Sequence, residues 1–520
     1  MRNIRWGVLV LASSLTISGC SRGVDNQASA DEPSKTETLG VVRVATTEPI
    51  GGISVDPALL KPANEIDVLL SDLLFDGLTR YSASSGEIEP AIAESWETTD
   101  GVSWTFRLDP SREFSDGRAI TAADVVASLN RVADLRANSL GGSRLDVIAG
   151  AADFASGAAD HLSGVTAIDA ATVGIQTVSP IYELPALLAD PTYGIIADAA
   201  TVTPTLAAEL VASGSFKAQS VGAKGAVLQA VTGEDTAVDV IEFEEFADVA
   251  SAQRAFANGT VEVAPLADGQ AAPKGSVETV VSATTMVLAI NARTGLWADP
   301  ATHGAVLHTL QRDLIAVAVA GSDERVADGL LPGGFAASGV CDELCQVTSE
   351  GAAALAALGT TSGVVHVDVP AGEQGTAAGT EIVRQLVAAG LPAEQRATDS
   401  AALNATLSAG ALELLVFGVV GLAPSPDPYL AASLLSTGTE NLTGFASPEF
   451  DAAIVAARGT ADGAQRKAAY AVAERIAVGA APMIPLVSLG ERYAVSTRVN
   501  GVRSAAGVLF DGRAISVVSQ

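Results

Sequence analysis

Cys20, Cys341 and Cys345 are the only thiols in the chain, and His161, His303, His308 and His366 the only imidazoles. A thiol can carry a lipid, close a disulfide or bind metal, and an imidazole can bind metal or move a proton. Cys341 and Cys345 do not have the CxxC spacing of redox motifs, and no histidine lies near them in sequence to complete a zinc site. In an exported chain so close a pair reads as a disulfide that pins a surface loop, the alternative being two free thiols. His303 and His308 are off the i,i+4 spacing that sets two ligands on one face of their expected helix, and no HExxH occurs. There is no GxSxG elbow and no phosphate-binding loop; Gly222-Ala223-Lys224-Gly225 has the wrong order. Acidic residues are so plentiful, 60 in all, that none can be singled out as a catalytic pair. These residues argue against an enzyme, and no cofactor or metal is expected.

The third cysteine sits in a different setting. Arg2 and Arg5 precede a short apolar run from Trp6 to Ile17, and the small residues Ser18 and Gly19 lead into Cys20. The run is too short to span a bilayer as a mature helix and fits a cleaved signal peptide over residues 1–19. Ile17-Ser18-Gly19-Cys20 resembles the lipobox of bacterial lipoproteins, in which the cysteine thiol takes diacylglycerol and becomes the first mature residue. The plainer alternative is a secretory signal with a chance cysteine. Residues 20–40 begin with a polar stretch rich in Ser, Asp, Glu and Lys and read as a flexible tether. No later apolar run is long and uniform enough to predict a membrane-spanning helix.

Of the 520 residues 48% are apolar and 17% charged, and net charge is −30. That length predicts two or three domains. The charge argues against nucleic acid or anionic headgroups as partners and leans slightly toward cationic or zwitterionic ligands, although solubility alone accounts for it.

The elements that would hold any site alternate between strand and helix patterns, a mixed α/β plan. Val42 to Thr46 predicts the first strand. Trp104, Phe106 and Leu108 alternate with Thr105 and Arg107, the period of a half-buried strand, and the turn residues Ser115-Asp116-Gly117 come next. Trp96, Trp104 and Phe106 are expected to fill core. Thr121 with Asp124 predicts a capped helix start, its hydroxyl meeting the free N–H groups, and Val125, Leu129 and Val132 form the apolar stripe. Ser447-Pro448-Glu449 reads as N-cap, N1 proline and first-turn acid. Asp462 with Gln465 opens a second helix that is expected to end at a Gly479 cap.

Several of these segments, in order, resemble one family: the bacterial extracellular solute-binding proteins of the dipeptide/oligopeptide importer class, family 5, in lipoprotein form. DLLFDGLTRY at 72–81 is followed by EPAIAESW at 89–96, the alternating WTFRL at 104–108, FSDG at 114–117 and TAADV at 121–125. Gly214-Ser215-Phe216-Lys217 is similar to a crossing strand of the family, Asn291 to an asparagine after a core strand, and Gln311-Arg312-Asp313 to a motif after the next helix. The segment 447–487 closes the set.

The resemblance implies a two-lobed periplasmic-binding-protein-like α/β hinge fold with an extra inserted subdomain, of the class that includes peptide and nickel binders. Lobe I would comprise 41–78, 179–285 and 488–520, the insert 79–178, and lobe II 286–487. It implies a monomer held at the outer face of the cell membrane by its lipid. There it would pass a small, extended peptide or peptide-like ligand to the permease and ATPase subunits of an ABC importer. A rival is a scaffold or regulatory lipoprotein of the cell envelope on the same fold. By position the ligand would meet Leu60, Pro62 and Asn64 on one side, and Phe417, Gly418, Val419, Gly421, Leu422 and Pro424 on the other. Peptide binders of the family carry, in the second stretch, a Gly-Trp pair and an aspartate that pairs with the peptide amine. Here Val419 stands where tryptophan is common and Pro424 where the acid belongs, so the charge-assisted anchor for an ammonium group is absent. Asp427, in the surviving Asp-Pro step, is expected to be a turn residue.

Overall fold

The structure, a computed structural model, describes residues 40–518 apart from short stretches, of which 61–64, 136–139, 200–203, 333–338 and 503–508 are the longest. The signal peptide, Cys20 and the tether up to residue 39 lie outside the described residues. Ten strands form one sheet: β1 Gly40–Thr46, β2 Phe216–Gly222, β3 Gly225–Ala230, β4 Val238–Glu245, β5 Val263–Leu266, β6 Ser276–Ile290, β7 Val365–Pro370, β8 Ala393–Thr398, β9 Leu414–Val420 and β10 Met483–Ser496. They lie in the order β8-β7-β9-β6-β10-β5-β1-β4-β3-β2. Val42 and Val44 of β1 are wholly buried, since parallel neighbours β4 and β5 flank the strand and side chains cover its faces.

Two strands are much longer than the rest. β6 has 15 residues and β10 has 14, paired antiparallel from Ser276 opposite Ser496 to Ala289 opposite Met483. At one end β10 pairs with β5 through Arg492 to Val495, and at the other β6 pairs with β9 through Thr284 to Ile290. The pair therefore runs continuously from one body of the protein into the other. On one side Val42, Phe75, Phe216, Ile241 and Phe510 share a core; on the other Trp297, Tyr429, Phe450 and Tyr470 share a second.

A third core belongs to a four-stranded sheet of segments 93–98, 103–108, 172–176 and 165–169. Trp104, Phe106 and Leu108 point into it and Ser103 and Arg107 outward, following the period-two pattern. Its packing continues through Leu184 and Tyr193 to Ala197, past the residue 178 at which the insert was expected to end.

Six helices matter below: α1 Glu65–Leu74, α2 Ala122–Asp134, α3 Leu140–Arg144, α4 Asp427–Leu434, α5 Pro448–Arg458 and α6 Gly463–Ala480. At α2 the Asp124 carboxylate accepts from both the backbone N–H and the hydroxyl of Thr121, at 2.9 and 2.6 Å. The expected pair is present, with the aspartate as acceptor. Ser447 caps α5 by accepting from Phe450 N, and Asp462 caps α6 by accepting from Gln465 N. Such caps contribute about 1 kcal/mol each.

Two expectations need correction. The α6 helix runs past Gly479, and its C-cap is Ala481, held in the left-handed region at φ 52°. Phe216 and Lys217 open β2, the outer edge of the sheet, rather than a crossing strand. Among the described residues no helix is long and apolar enough to cross a membrane.

Candidate functional site

The stretch after β9 leads to α4 along the boundary between the bodies. Within β9, Leu414 to Val416 are buried, as a central strand requires, while Phe417 is half-buried and Gly418 exposed. A side chain at Gly418 would collide with Thr284 Cγ2 at 2.6 Å, so the close approach to β6 suits glycine. Val419 returns to the core at 4% exposure. Leu422 is also buried, against Leu60 and Val68 of the other body. The two stretches assigned to the ligand thus touch each other through Leu60 and Leu422. Pro62, Asn64 and Gly421 lie outside the described residues.

Polar contacts from the insert side flank this apolar junction. Arg144, which ends α3, donates from Nη2 to the Val420 carbonyl at 2.6 Å. The carboxylate of Asp190 accepts from Thr192 N and Oγ1, both through Oδ1. Tyr182 N donates to Arg458 O at 2.9 Å. Glu183 lies 3.7 Å from Arg466, in the neighbourhood of the hydroxyls of Ser425 and Tyr470. Burial, and then the charge of Asp427, push the Glu183 carboxyl above its ordinary range, partly offset by Arg466 and these hydroxyls.

Asp427 is more than a turn residue. It opens α4 and is 4% exposed. Arg458 grips its carboxylate from Nε and Nη2 at 2.7 and 2.8 Å, and the Tyr470 hydroxyl donates to it at 2.9 Å. One carboxylate therefore ties together α4, α5 and α6 behind the boundary stretch.

Pro424 lines a cavity of about 610 Å³ with Pro426, Tyr81, Trp96, Tyr182 and Lys467 among its other walls. Trp96 was expected in the core. It packs on Phe106 with ring centroids 6.4 Å apart, yet stays half-buried and forms part of this wall. A register shift between Ala93 and Ser95 sets Trp96 opposite the buried Phe106, on the core-facing side of the strand pair, where it packs at the margin of that core. The volume is within the range of small-molecule sites. Sequence reasoning missed Tyr182, Glu183, Asp190 and Arg144, since no short motif marks them; only three-dimensional proximity to 420–427 does.

The remaining candidates for chemistry have structural partners. Cys341 and Cys345 are joined as a disulfide within the second core. His303 is buried with Nε2 2.8 Å from Trp297 O, and His308, the C-cap of the helix Pro300–Leu307, contacts Gln346 O. His366 bridges Glu394 and Glu413. No cluster with metal-ligand character occurs among the described residues.

Comparison with known proteins accords with this geometry. Residues 87–441 match the model of the bacterial extracellular solute-binding proteins, family 5, middle region. The periplasmic murein peptide-binding protein MppA of Escherichia coli (strain K12) is 28% identical over 311 residues, 55% of this chain and 57% of that protein. The periplasmic oligopeptide-binding protein OppA of Salmonella typhimurium (strain LT2) is 32% identical over 171 residues, 32% of this chain and 31% of that protein. The chain thus spans less than two thirds of the length of these curated relatives. In three dimensions, the unliganded open form of MppA superposes with a TM-score of 0.73 at 21% identity, covering 93% of this chain and 98% of that one. The pheromone receptor PrgZ gives 0.71 at 19%, covering 93% and 100%. The fold is the two-lobed fold of that group, whose members bind solutes and are not enzymes, and the chain belongs to the bacterial extracellular solute-binding proteins of family 5.

Proposed function

We propose that this chain is the lipid-anchored, extracytoplasmic binding subunit of an ABC importer, and that it captures a peptide or peptide-like ligand between its lobes for the permease and ATPase. The observation that carries this reading is the family match across 87–441 on a frame whose lobes are joined by the continuous strands β6 and β10. A joint of two strands permits closure about a hinge, the motion by which such a receptor reports occupancy. The names of the relatives, murein peptide- and oligopeptide-binding, favour a peptide-like ligand. Lobe I would be 41–78, 179–285 and 488–520, the insert 79–178 and lobe II 286–487. Leu60, Pro62, Asn64, Phe417, Gly418, Val419, Gly421, Leu422 and Pro424 would border the ligand, and Cys20 would carry the lipid.

Native mass spectrometry of gently purified protein tests the reading. A bound species with the mass of a peptide or peptide derivative is expected, and a monomeric protein. Replacing Cys20 with alanine should abolish lipid labelling and membrane retention; labelling that persists overturns the anchor. Pro424 adds a sharper test. With no acid at that position, an N-acetylated form of a co-purified peptide should bind within a few-fold of the free form. A loss of a hundredfold or more would mean that another acid holds the amine.

A second reading, a scaffold or regulatory lipoprotein of the cell envelope, draws on one observation: Leu422 packs directly on Leu60 and Val68. Protein that co-purifies with nothing and binds no peptide in calorimetry would favour it.

A further inference from the structure

Arg144 is a buried cation with hydrogen-bonding capacity to spare. Its side chain is 3% exposed, and Nη2 is committed to the Val420 carbonyl. Nη1 lies 3.8 Å from Asp190 Oδ2, near enough for charge attraction and too far for a hydrogen bond. Among the described residues neither Nη1 nor Nε has a hydrogen-bond partner, and neither does Asp190 Oδ2. An enclosed N–H of a guanidinium that meets no acceptor is costly, and nearly all such groups in folded proteins are satisfied.

The same arginine is part of the wall of a cavity of about 200 Å³ between the insert and α4, with Asp146, Leu187, Asp427, Leu435 and Arg458 also in its lining. Arg458 is occupied by the bidentate grip on Asp427. Arg144 is therefore the lining cation that retains unmet donors. Its nearest counter-charge, Asp190, is only loosely opposed, and burial pushes that carboxyl upward, toward the neutral form, against the pull of Arg144.

We propose that this cavity is a carboxylate site and that Arg144 is its anchor, holding the acid end of the bound ligand through charge-assisted hydrogen bonds. The volume suits an end group with a short aliphatic stem, not a whole peptide. The site adjoins the stretch 420–424 in which the peptide binders of the family place the acid that meets an amine. Pro424 has removed that acid, and Arg144 supplies the opposite charge one segment away. The polarity of recognition at this end of the cleft is thereby reversed. This deepens, and for its biological setting rests on, the binding-protein reading above, but the site itself can be tested without a peptide.

The probes are butyrate and butyramide, equal in shape and different in charge, offered at neutral pH to the full mature chain. Saturation-transfer NMR should show butyrate bound by the wild type and butyramide bound about tenfold more weakly or not at all. Arg144→Gln should lower butyrate affinity by about tenfold or more, and Arg144→Lys should retain part of it. The wild-type comparison requires no variant to fold. Butyrate that fails to bind, butyramide that binds as well, or butyrate binding unchanged in a folded Arg144→Gln protein would each overturn the proposal. Butyrate bound at Arg144 in a protein that takes up no peptide would count against the import reading and leave the site standing. A co-purified peptide whose affinity ignores Arg144 would do the reverse.

Discussion

Replacing Asp427 with alanine should destabilise the second lobe by about 3 kcal/mol or somewhat more, the lower part of the range for breaking a buried ion pair, because Arg458 retains 15% exposure. The substitution removes two short contacts to the Arg458 guanidinium and one to the Tyr470 hydroxyl. Most of the cost comes from the guanidinium left largely buried without its counter-charge, not from the lost attraction itself. That distinction makes a cycle of variants informative. Arg458→Met alone should cost a similar amount, since it strands a carboxylate that is 4% exposed. Asp427→Leu with Arg458→Met removes both charges and should be far milder than the sum of the single changes, with a coupling of at least about 2 kcal/mol. Urea denaturation followed through Trp297, which is wholly buried in the second core, reads that lobe directly in a background lacking Trp96 and Trp104. Single losses below about 1 kcal/mol, or a double variant whose loss is the sum of the two, would refute the account of Asp427 as a buried tie between three helices.

Three further outcomes rest on other features. Burial raises the carboxyl of Glu474 to about 7 from 4.5, against the pull of the Leu330 and Leu331 N–H groups; burial and then Glu491 raise Glu65 to about 8. In both, the folded form keeps a proton that the unfolded form releases. This stability is fully present below pH 4.5 and is lost as pH climbs through 7 to 8. The Glu474 share is at most about 3 kcal/mol, so Glu474→Gln should flatten the fall in denaturation midpoint between pH 5 and 8; parallel curves would contradict it. Cys341→Ser with Cys345→Ser should lower stability by about 2 kcal/mol on the loop-entropy account, and alkylation before and after reduction should show both thiols blocked until reduced. Leu422→Asp would bury a charge against Leu60 and Val68, so the lobes should part and the radius of gyration from X-ray scattering should rise; unchanged scattering would deny that contact a closing role.

The sequence was most legible where local chemistry repeats over a few residues. Trp104, Phe106 and Leu108 alternate as a strand must, and Ser447 and Asp462 cap their helices through bonds that their types predict. The family, too, could be read from motifs of this kind. Legibility failed where one residue breaks the pattern or the partner is remote. Gly479 looked like a helix end, but packing carries α6 to Ala481, which takes the left-handed conformation despite its side chain. Trp96 looked like core, and although it lies opposite buried Phe106 it stays half-buried and also walls the cavity beside Pro424. Arg144 and Val420 are separated by 276 positions, and Asp427 and Arg458 belong to different helices. Nothing in the neighbouring residues marks either pair.

The position of β10 bears on how the chain comes to be folded at all. Residues 483–496 are made after the other nine strands of the sheet, yet their strand lies in its interior, between β6 and β5. Until that segment arrives, β6 lacks a neighbour on one side and β1 and β5 form a sheet that ends at an open edge. The two halves therefore share no ladder while the chain is being made. Assembly is intrinsically slow, because its central pairing joins segments some 200 positions apart, Ser276 with Ser496 and Ala289 with Met483. A nascent or truncated chain ending before residue 483 would carry unpaired strand edges, the kind of surface that chaperones cover and that aggregates if they do not. Completion of the sheet thus waits for the strand that comes last in its chain order.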